Sequence, residues 1–452
     1  MGFADRPIVV WLRNDLRVDD HEPLWLAARH AKGRVVPVYC VDPRQWADSS
    51  LGFEKMGARR AQFVRESLAS MRAGLQRLGA DLVVRVGHPE DIIPALAAEV
   101  DARGVYYHDE PTHEERRVAE AVESASSDVG ATPRAIWGAT LYHIDDLPYE
   151  VRDLPGVFTH FRKDVERRAR VRDPKDAPES LGALPAGLEP GVLPELDGFN
   201  ASFQPEPLDE RAVLAFRGGE DEAHSRLEAY FWEFDALRRY KETRNGLVGA
   251  NYSSKFSPWL AAGCISPRRI WKQVKEYERE RVRNDSTYWL LFELIWRDYF
   301  RFLGAAEDTN LFKVGGIQKR RYDWSTNEET FARWCTGMTG VPFVDANMRE
   351  LNATGFMSNR GRQNVGSFLA KTLEIDWRWG AAYFESKLLD YDPTSNWGNW
   401  QYVSGVGNDP RDRVFHVVGQ ARRYDPNGQY VRLWCPELAE LPDALVHEPY
   451  AL

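Results

Sequence analysis

The chain has 452 residues, 43% of them hydrophobic and 28% charged, with a formal net charge of −9. That length predicts two to three domains with real cores, which excludes a disordered tail or a collagen-like repeat. The negative balance excludes a uniformly basic nucleic-acid coat and leaves room only for a local basic groove.

From the N-terminus, short β-branched runs at Ile8–Leu12, Val35–Val41, Leu82–Val86 and Val105–Tyr107, and a weaker one at Arg134–Trp137, alternate with helical patterns. In Gly57–Leu78 the apolar residues Ala61, Val64, Leu68, Met71 and Leu75 share one helix face. Such alternation predicts a doubly wound parallel sheet covered on both sides over residues 1–137. No GxGxxG or GxxxxGK[ST] string occurs, so a nucleotide bound in either of those ways is disfavoured. Residues 138–211 are expected to be an interdomain linker. Seven of the 26 prolines fall in 172–210, which predicts a segment running over the surface of both domains. Residues 212–452 are expected to form a helical domain, with helices over Ala223–Lys241, Thr287–Leu303 and Asn364–Trp377.

Charge and aromatics divide at that boundary. Residues 1–212 carry 27 basic and 36 acidic side chains, and residues 213–452 carry 32 of each. Twelve of the 16 Trp lie in the helical part, where a planar ligand or a stacked base could sit; plain core packing is the competing explanation. The four Cys are widely spaced and form no CxxC, which argues against a zinc site and for free thiols in a reducing cytosol. No metal site is expected. No apolar run approaches the roughly 20 residues that cross a bilayer, so the expectation is a cytoplasmic protein, monomeric by default.

Four clusters carry candidate chemistry. In YKETRNGLVGANYSSKFSP, Tyr240 and Arg244 are one helical turn apart. Ser253, Ser254, Lys255 and Ser257 then precede a helix opened by Pro258. Serines there are ordinarily N-caps, but hydroxyls, free N–H groups and two cations could also cradle a pyrophosphate. In FELIWRDYF, Glu293 beside Trp296 could have a raised pKa and donate a hydrogen bond; an intrahelical Glu293–Arg297 pair is the alternative. In GFMSNRGRQ and DYDPTSNWGNWQY stand Asn359, Arg362, Asp390, Asp392, Asn396 and Trp400. Burying these polar groups requires a polar ligand or mutual pairing.

These strings, with VWLRNDLRVDD and GFMSNRGRQNVGSFLAKTLEIDWRWGA, resemble the photolyase/cryptochrome family, and within it the cryptochrome-DASH branch, almost end to end. The resemblance implies an α/β antenna-type domain, a long linker and a helical domain holding FAD. It places Tyr240, Arg244, Ser253, Ser254, Lys255 and Ser257 at the phosphates and ribityl chain. It pairs Arg362 with Asp390 beside the flavin ring, sets Asp392 at N3 and Asn396 at N5, and implies an electron path through Trp400, Trp377 and Trp324. Glu293, Trp296, Asn359, Gln363 and Tyr402 would line a cavity for a cyclobutane pyrimidine dimer, with Arg360 and Arg244 as rim or phosphate contacts. Gln363 and Tyr402 stand where duplex-repairing bacterial relatives have Met and Trp. Single-stranded DNA is therefore the expected substrate. Glu110 is the candidate contact for an antenna, methenyltetrahydrofolate at the domain interface, with an exposed acidic loop as the alternative. The implied activity is a light-driven lyase, deoxyribodipyrimidine photo-lyase. A blue-light photoreceptor signalling through flavin photoreduction is the rival reading. The retained cavity residues favour the lyase, as does a chain ending at Leu452 without a long signalling tail.

Overall fold

The computed structural model describes residues 6–409 and 411–451. Five strands, β1 (Ile8–Leu12), β2 (Val35–Val41), β3 (Val83–Val86), β4 (Gly104–Asp109) and β5 (Thr132–Trp137), form one sheet in the order β3-β2-β1-β4-β5. Every pairing is parallel. Helices α1 (Glu22–His30), α2 (Ala58–Arg77), α3 (Pro89–Glu99) and α4 (His113–Asp128) make the crossovers. β1 and β2 are buried at every position, which is why they read as unbroken apolar runs rather than as alternating ones.

The segment after β5 does two jobs. Helix α5 (Phe158–Arg168) packs Phe158 and Phe161 onto the long helix of the second domain. The proline-rich stretch then lies along the outer edge of the N-terminal sheet. Leu181 accepts from Val35 N–H at 3.2 Å, and Pro190 accepts from Val84 N–H at 2.7 Å. This covers the exposed side of β3, the strand at the sheet edge.

The second domain is helical: α6 (Glu220–Glu228), α7 (Tyr240–Thr243), α8 (Ser257–Ala261), α9 (Pro267–Glu280), α10 (Asp285–Glu307), α11 (Glu328–Cys335), α12 (Pro342–Thr354), α13 (Asn359–Ser367), α14 (Trp377–Lys387), α15 (Pro393–Ser404), α16 (Val417–Tyr424) and α17 (Gln429–Trp434). Helix α10 contains the expected Thr287–Leu303 and starts on a capping box at Asn284. Two expected helices are corrected. Ala223–Lys241 ends in a wide turn at Ala229–Glu233, and Asn364–Trp377 in another at Phe368–Thr372. Each wide turn is followed by a left-handed residue, Asp235 at φ 48° and Glu374 at φ 55°. The first break frees Tyr240 to start α7. The second frees Trp377 to start α14, capped by Asp376 accepting from Arg378 N–H at 3.0 Å.

One apolar core runs from the inner face of the sheet (Val10, Leu12, Tyr39) into α6 and α10 (Leu227, Leu294, Tyr299). A second surrounds Trp334, Trp377 and Trp400. Two buried carboxylates clamp the junction. Asp298 accepts the backbone N–H groups of Leu141 and Tyr142 at 2.9 and 2.8 Å. Glu220 accepts those of Val18 and Asp19, both at 2.9 Å.

Burial pushes both carboxyls up to about 7. In the unfolded chain they titrate near 4, so their contribution is complete below about pH 4 and is lost as pH rises through about 7. The thermal midpoint is therefore expected to fall between about pH 4 and pH 7, and to fall less in Asp298→Asn, as scanning calorimetry of the two proteins would show. A midpoint fall as steep in the variant as in the parent would refute the assignment to Asp298.

Candidate active site

A cavity of about 430 Å³ gathers residues from five parts of the helical domain. Tyr240 and Arg244 come from α7 and its C-terminus, and Ser253, Ser254, Lys255 and Ser257 from the loop before α8 and its first residue. Glu293 and Trp296 come from α10, Asn359, Arg362 and Gln363 from α13, and Asp390, Asn396, Trp400 and Tyr402 from α15 and the loop before it. Helix geometry explains the last group: Asn396 and Trp400 are four residues apart and so share a face.

The loop before α8 is not a serine cap. Helix α8 follows Phe256, and no side chain caps it. Arg226 of α6, which the sequence reading missed, holds this loop instead. Its guanidinium donates to the carbonyls of Ala250, Ser253 and Ser254 at 3.0 to 3.1 Å, and to Asn251 Oδ1 at 2.9 Å. The available signal was an Arg on the buried face of an amphipathic helix. Lys255 is left-handed at φ 57° and buried. Its ammonium donates to Gly249 O at 3.3 Å and lies 3.2 Å from the Tyr252 ring centroid. Burial and the nearby Arg226 hold its pKa well below the usual lysine value.

Glu293 pairs with Arg244, and not with Arg297. Arg297 is turned to the carbonyls of Ala139 and Leu260. Burial raises the Glu293 carboxyl, while Arg244 draws it back. One face of Trp296 is occupied by Phe158 of α5, stacked at 3.5 Å and 9°. A residue of the expected linker thus backs the cavity wall, which no local pattern signalled. Tyr402 meets Trp296 edge-on at 6.3 Å. Arg362 donates to Asp390 Oδ2 at 2.8 Å and to Met357 O at 2.9 Å. Asn396 Nδ2 donates to Ala381 O at 3.0 Å, which fixes its amide plane.

Five expected site residues lie outside this lining. Arg360 stands behind Gln363, donating to its Oε1 at 3.0 Å and to Asn245 at 2.9 Å. Asp392 caps α15 through Ser395 N–H at 2.7 Å and pairs with Arg301 at 2.8 Å. Arg301, Arg297 and these hydrogen bonds outweigh desolvation and hold the Asp392 carboxyl down at about 2. Both oxygens are engaged within the protein, so Asp392 is a helix cap and ion-pair partner as well as the residue expected at the flavin N3. Trp377 is buried, with its indole N–H on Val314 O at 3.0 Å. Trp324 is partly buried against Tyr322, 5.3 Å between centroids. Gly380, one turn along α14 from Trp377, packs under the Trp400 ring, with no room for a Cβ.

Glu110 is not exposed, and it lines neither this cavity nor the one between the domains. It is buried and pairs with Arg301 at 2.7 Å, because β4 ends against α10. A second cavity of about 670 Å³ opens between the domains, lined by Asn14, Trp46, Lys55, Arg60, Tyr391 and Trp397 among others. Asn14 donates to Glu110 at 3.5 Å, so Glu110 stands one residue behind that wall.

Asp15, His21 and His108 form a buried trio, with Asp15 Oδ2 at 3.0 Å from His21 Nε2 and 2.7 Å from His108 Nδ1. His21 Nδ1 accepts from Leu24 N–H, so Nε2 carries the proton and faces the carboxylate. His108 Nδ1 and Asp15 share a hydrogen bond, whereas His21 Nε2 lies close to the carboxylate without hydrogen-bond geometry.

The profile for the FAD binding domain of DNA photolyase matches residues 289–452, and that for DNA photolyase matches residues 8–179. Cryptochrome DASH of Gloeobacter violaceus is 54% identical over all of this chain and 89% of its own length. Cryptochrome DASH of Xenopus laevis is 48% identical over all of this chain and 87% of its own. The chain belongs to the photolyase/cryptochrome family, in its cryptochrome-DASH branch. A Synechocystis cryptochrome structure superposes with a TM-score of 0.96 at 49% identity, covering all of this chain and 93% of that one. A class III photolyase of Agrobacterium tumefaciens gives 0.84 at 31% identity, covering 99% and 90%.

The residues present fit FAD, the cofactor of this family's matched domain. Asp390 Oδ1 is buried without a partner, and the Lys255 ammonium has a single carbonyl. Those are the groups that a polar ring system and a phosphate would satisfy. Among the described residues no helix is long and apolar enough to cross a membrane.

Proposed function

We propose that this protein repairs cyclobutane pyrimidine dimers in blue light, mainly in single-stranded DNA. The observation that supports it is the single cavity in which the flavin-holding groups meet Glu293, Trp296, Asn359, Gln363 and Tyr402. When bound in its reduced form, FAD would supply the light-driven electron-donor chemistry that dimer splitting needs. Lys255, Arg244 and the serine hydroxyls hold its phosphates, and Asp390 and Asn396 orient its ring. Trp296, braced by Phe158, offers one wall for the two linked bases of an extruded dimer. Glu293, its carboxyl raised by burial, forms a hydrogen bond with the dimer. Gln363 and Tyr402 make that wall polar, so it repays less of the cost of unstacking a duplex. Trp400, Trp377 and Trp324 carry electrons that re-reduce the cofactor. In this reading the interdomain cavity holds the antenna, methenyltetrahydrofolate. A solved relative, the Sulfolobus tokodaii photolyase, carries two FAD molecules, with a novel light-harvesting cofactor implied. The protein acts as a cytoplasmic monomer; relatives such as that of Solanum lycopersicum are named chloroplastic/mitochondrial.

The test is illumination of the flavin-reduced protein with a dimer-bearing single-stranded oligonucleotide. Recovery of pyrimidine ultraviolet absorbance is expected, weakening as salt rises. Glu293→Ala is expected to slow repair about ten- to a hundredfold while FAD stays bound, the cost of one hydrogen bond to a polarised partner. No recovery from fully reduced protein would overturn the lyase reading and leave the photoreceptor.

A further inference from the structure

Tyr391 lines both cavities. Trp397, on the first turns of α15, lines the interdomain cavity, while Asn396 and Trp400 of the same helix line the other. The Trp397 ring lies 5.7 Å from that of Trp377, edge-on at 77°. Its indole N–H donates to the Tyr391 hydroxyl at 3.3 Å. The Tyr391 oxygen is therefore an acceptor there, and its own proton is free for another group. Glu385 supplies one. It is buried, lines the same cavity as Tyr391, and interacts electrostatically with the Tyr391 hydroxyl. Burial pushes the Glu385 carboxyl up to about 7, with Lys55 and Arg60 drawing it back and Glu114 opposing them. Burial and the Glu385 charge push the Tyr391 phenol well above its usual value, with Glu115 adding to the rise and Arg60 opposing it. The phenol therefore releases its proton only when it is oxidised, and then needs a base within reach.

We propose that Trp397 and Tyr391 form a side branch of the electron path, leaving it at Trp377 and ending at the interdomain cavity, with Glu385 as proton acceptor. The branch rests on the reading of Trp400 and Trp377 as electron carriers. Trp377, once oxidised, takes one electron from Trp397. Trp397 takes one from Tyr391. Tyr391 loses that electron and passes its phenolic proton to the Glu385 carboxylate, becoming a neutral radical. One electron and one proton move, and the primary oxidant would be photoexcited oxidised flavin held in the cavity that Trp400 lines. The other exit, Trp324 against Tyr322, leads to the surface, where Tyr322 is 37% exposed. The path therefore forks, with one arm in solvent and one in a cavity that a bound reductant can reach.

The test uses FAD-loaded protein, flash excitation and electron paramagnetic resonance. Trp324→Phe is expected to keep a long-lived radical with a tyrosyl signature. In that background Tyr391→Phe is expected to convert the signature to tryptophanyl, and Trp397→Phe to lower the radical yield about tenfold or more. A second readout works in the dark: azide radicals from pulse radiolysis oxidise tryptophans directly, and transfer to tyrosine is expected to slow in Tyr391→Phe and in Glu385→Gln. Loss of the radical in Trp324→Phe alone, or an unchanged signature in Tyr391→Phe, would overturn the branch. Radicals that persist unchanged in Trp400→Phe and Trp377→Phe would instead overturn the underlying path.

Discussion

Arg301→Ala is expected to destabilise the protein by about 3–5 kcal/mol, the cost of leaving buried charges unpaired. Arg301 is 3% exposed and forks between Glu110 at 2.7 Å and Asp392 at 2.8 Å. Its removal strands two buried carboxylates, one from each domain. Asp392 is also the cap of α15, so the start of the helix that carries Asn396 and Trp400 loses its anchor. Denaturant unfolding of parent and variant would measure the loss. A double-mutant cycle with Glu110→Gln separates the interdomain arm, and a coupling near zero would show that this arm does not hold the domains together. An Arg301→Ala protein as stable as its parent would refute the account.

Arg362→Ala is expected to yield protein with little or no bound flavin. The Asp390 side chain is almost wholly buried, with Arg362 on Oδ2 and no partner on Oδ1. Removing the guanidinium leaves a buried carboxylate beside the expected ring site. Truncating one partner of a buried, hydrogen-bonded charge pair costs about 2–5 kcal/mol, which is at least about thirtyfold in affinity. Arg362→Lys restores the charge but not both bonds, because a lysine cannot reproduce the fork to Asp390 Oδ2 and Met357 O. Flavin content by absorbance, and affinity by calorimetric titration of stripped protein, would measure both. An Arg362→Ala protein that retains flavin as the parent does would remove Arg362 and Asp390 from the flavin site.

Local pattern was enough for some elements and not for others. β1 and β2 appear at the predicted residues because strands buried on both faces need continuous β-branched runs. The helix predicted over Ala223–Lys241 was broken because a wide turn and a left-handed Asp235 carry no strong signal of their own. Tertiary contacts, including the Tyr277 hydroxyl donating to Asp235, hold that break. The α8 serines show the same limit: their order in the chain was that of a cap, but their environment was a loop clamped by Arg226.

The sequence by itself determined the two-domain architecture, the family and most of the residues that share the cavity, because strand and helix periodicity and long matching strings are local properties. Only the tertiary structure decided which charges pair and what backs each ring. Glu293 meets Arg244 across 49 residues, Arg301 meets Glu110 across 191, and Phe158 reaches Trp296 from the expected linker. The interdomain cavity and its shared wall at Tyr391 were decided there too. The physical reason is that a buried charge or ring is satisfied by whatever the folded chain brings within a few ångströms, and separation along the sequence says nothing of that.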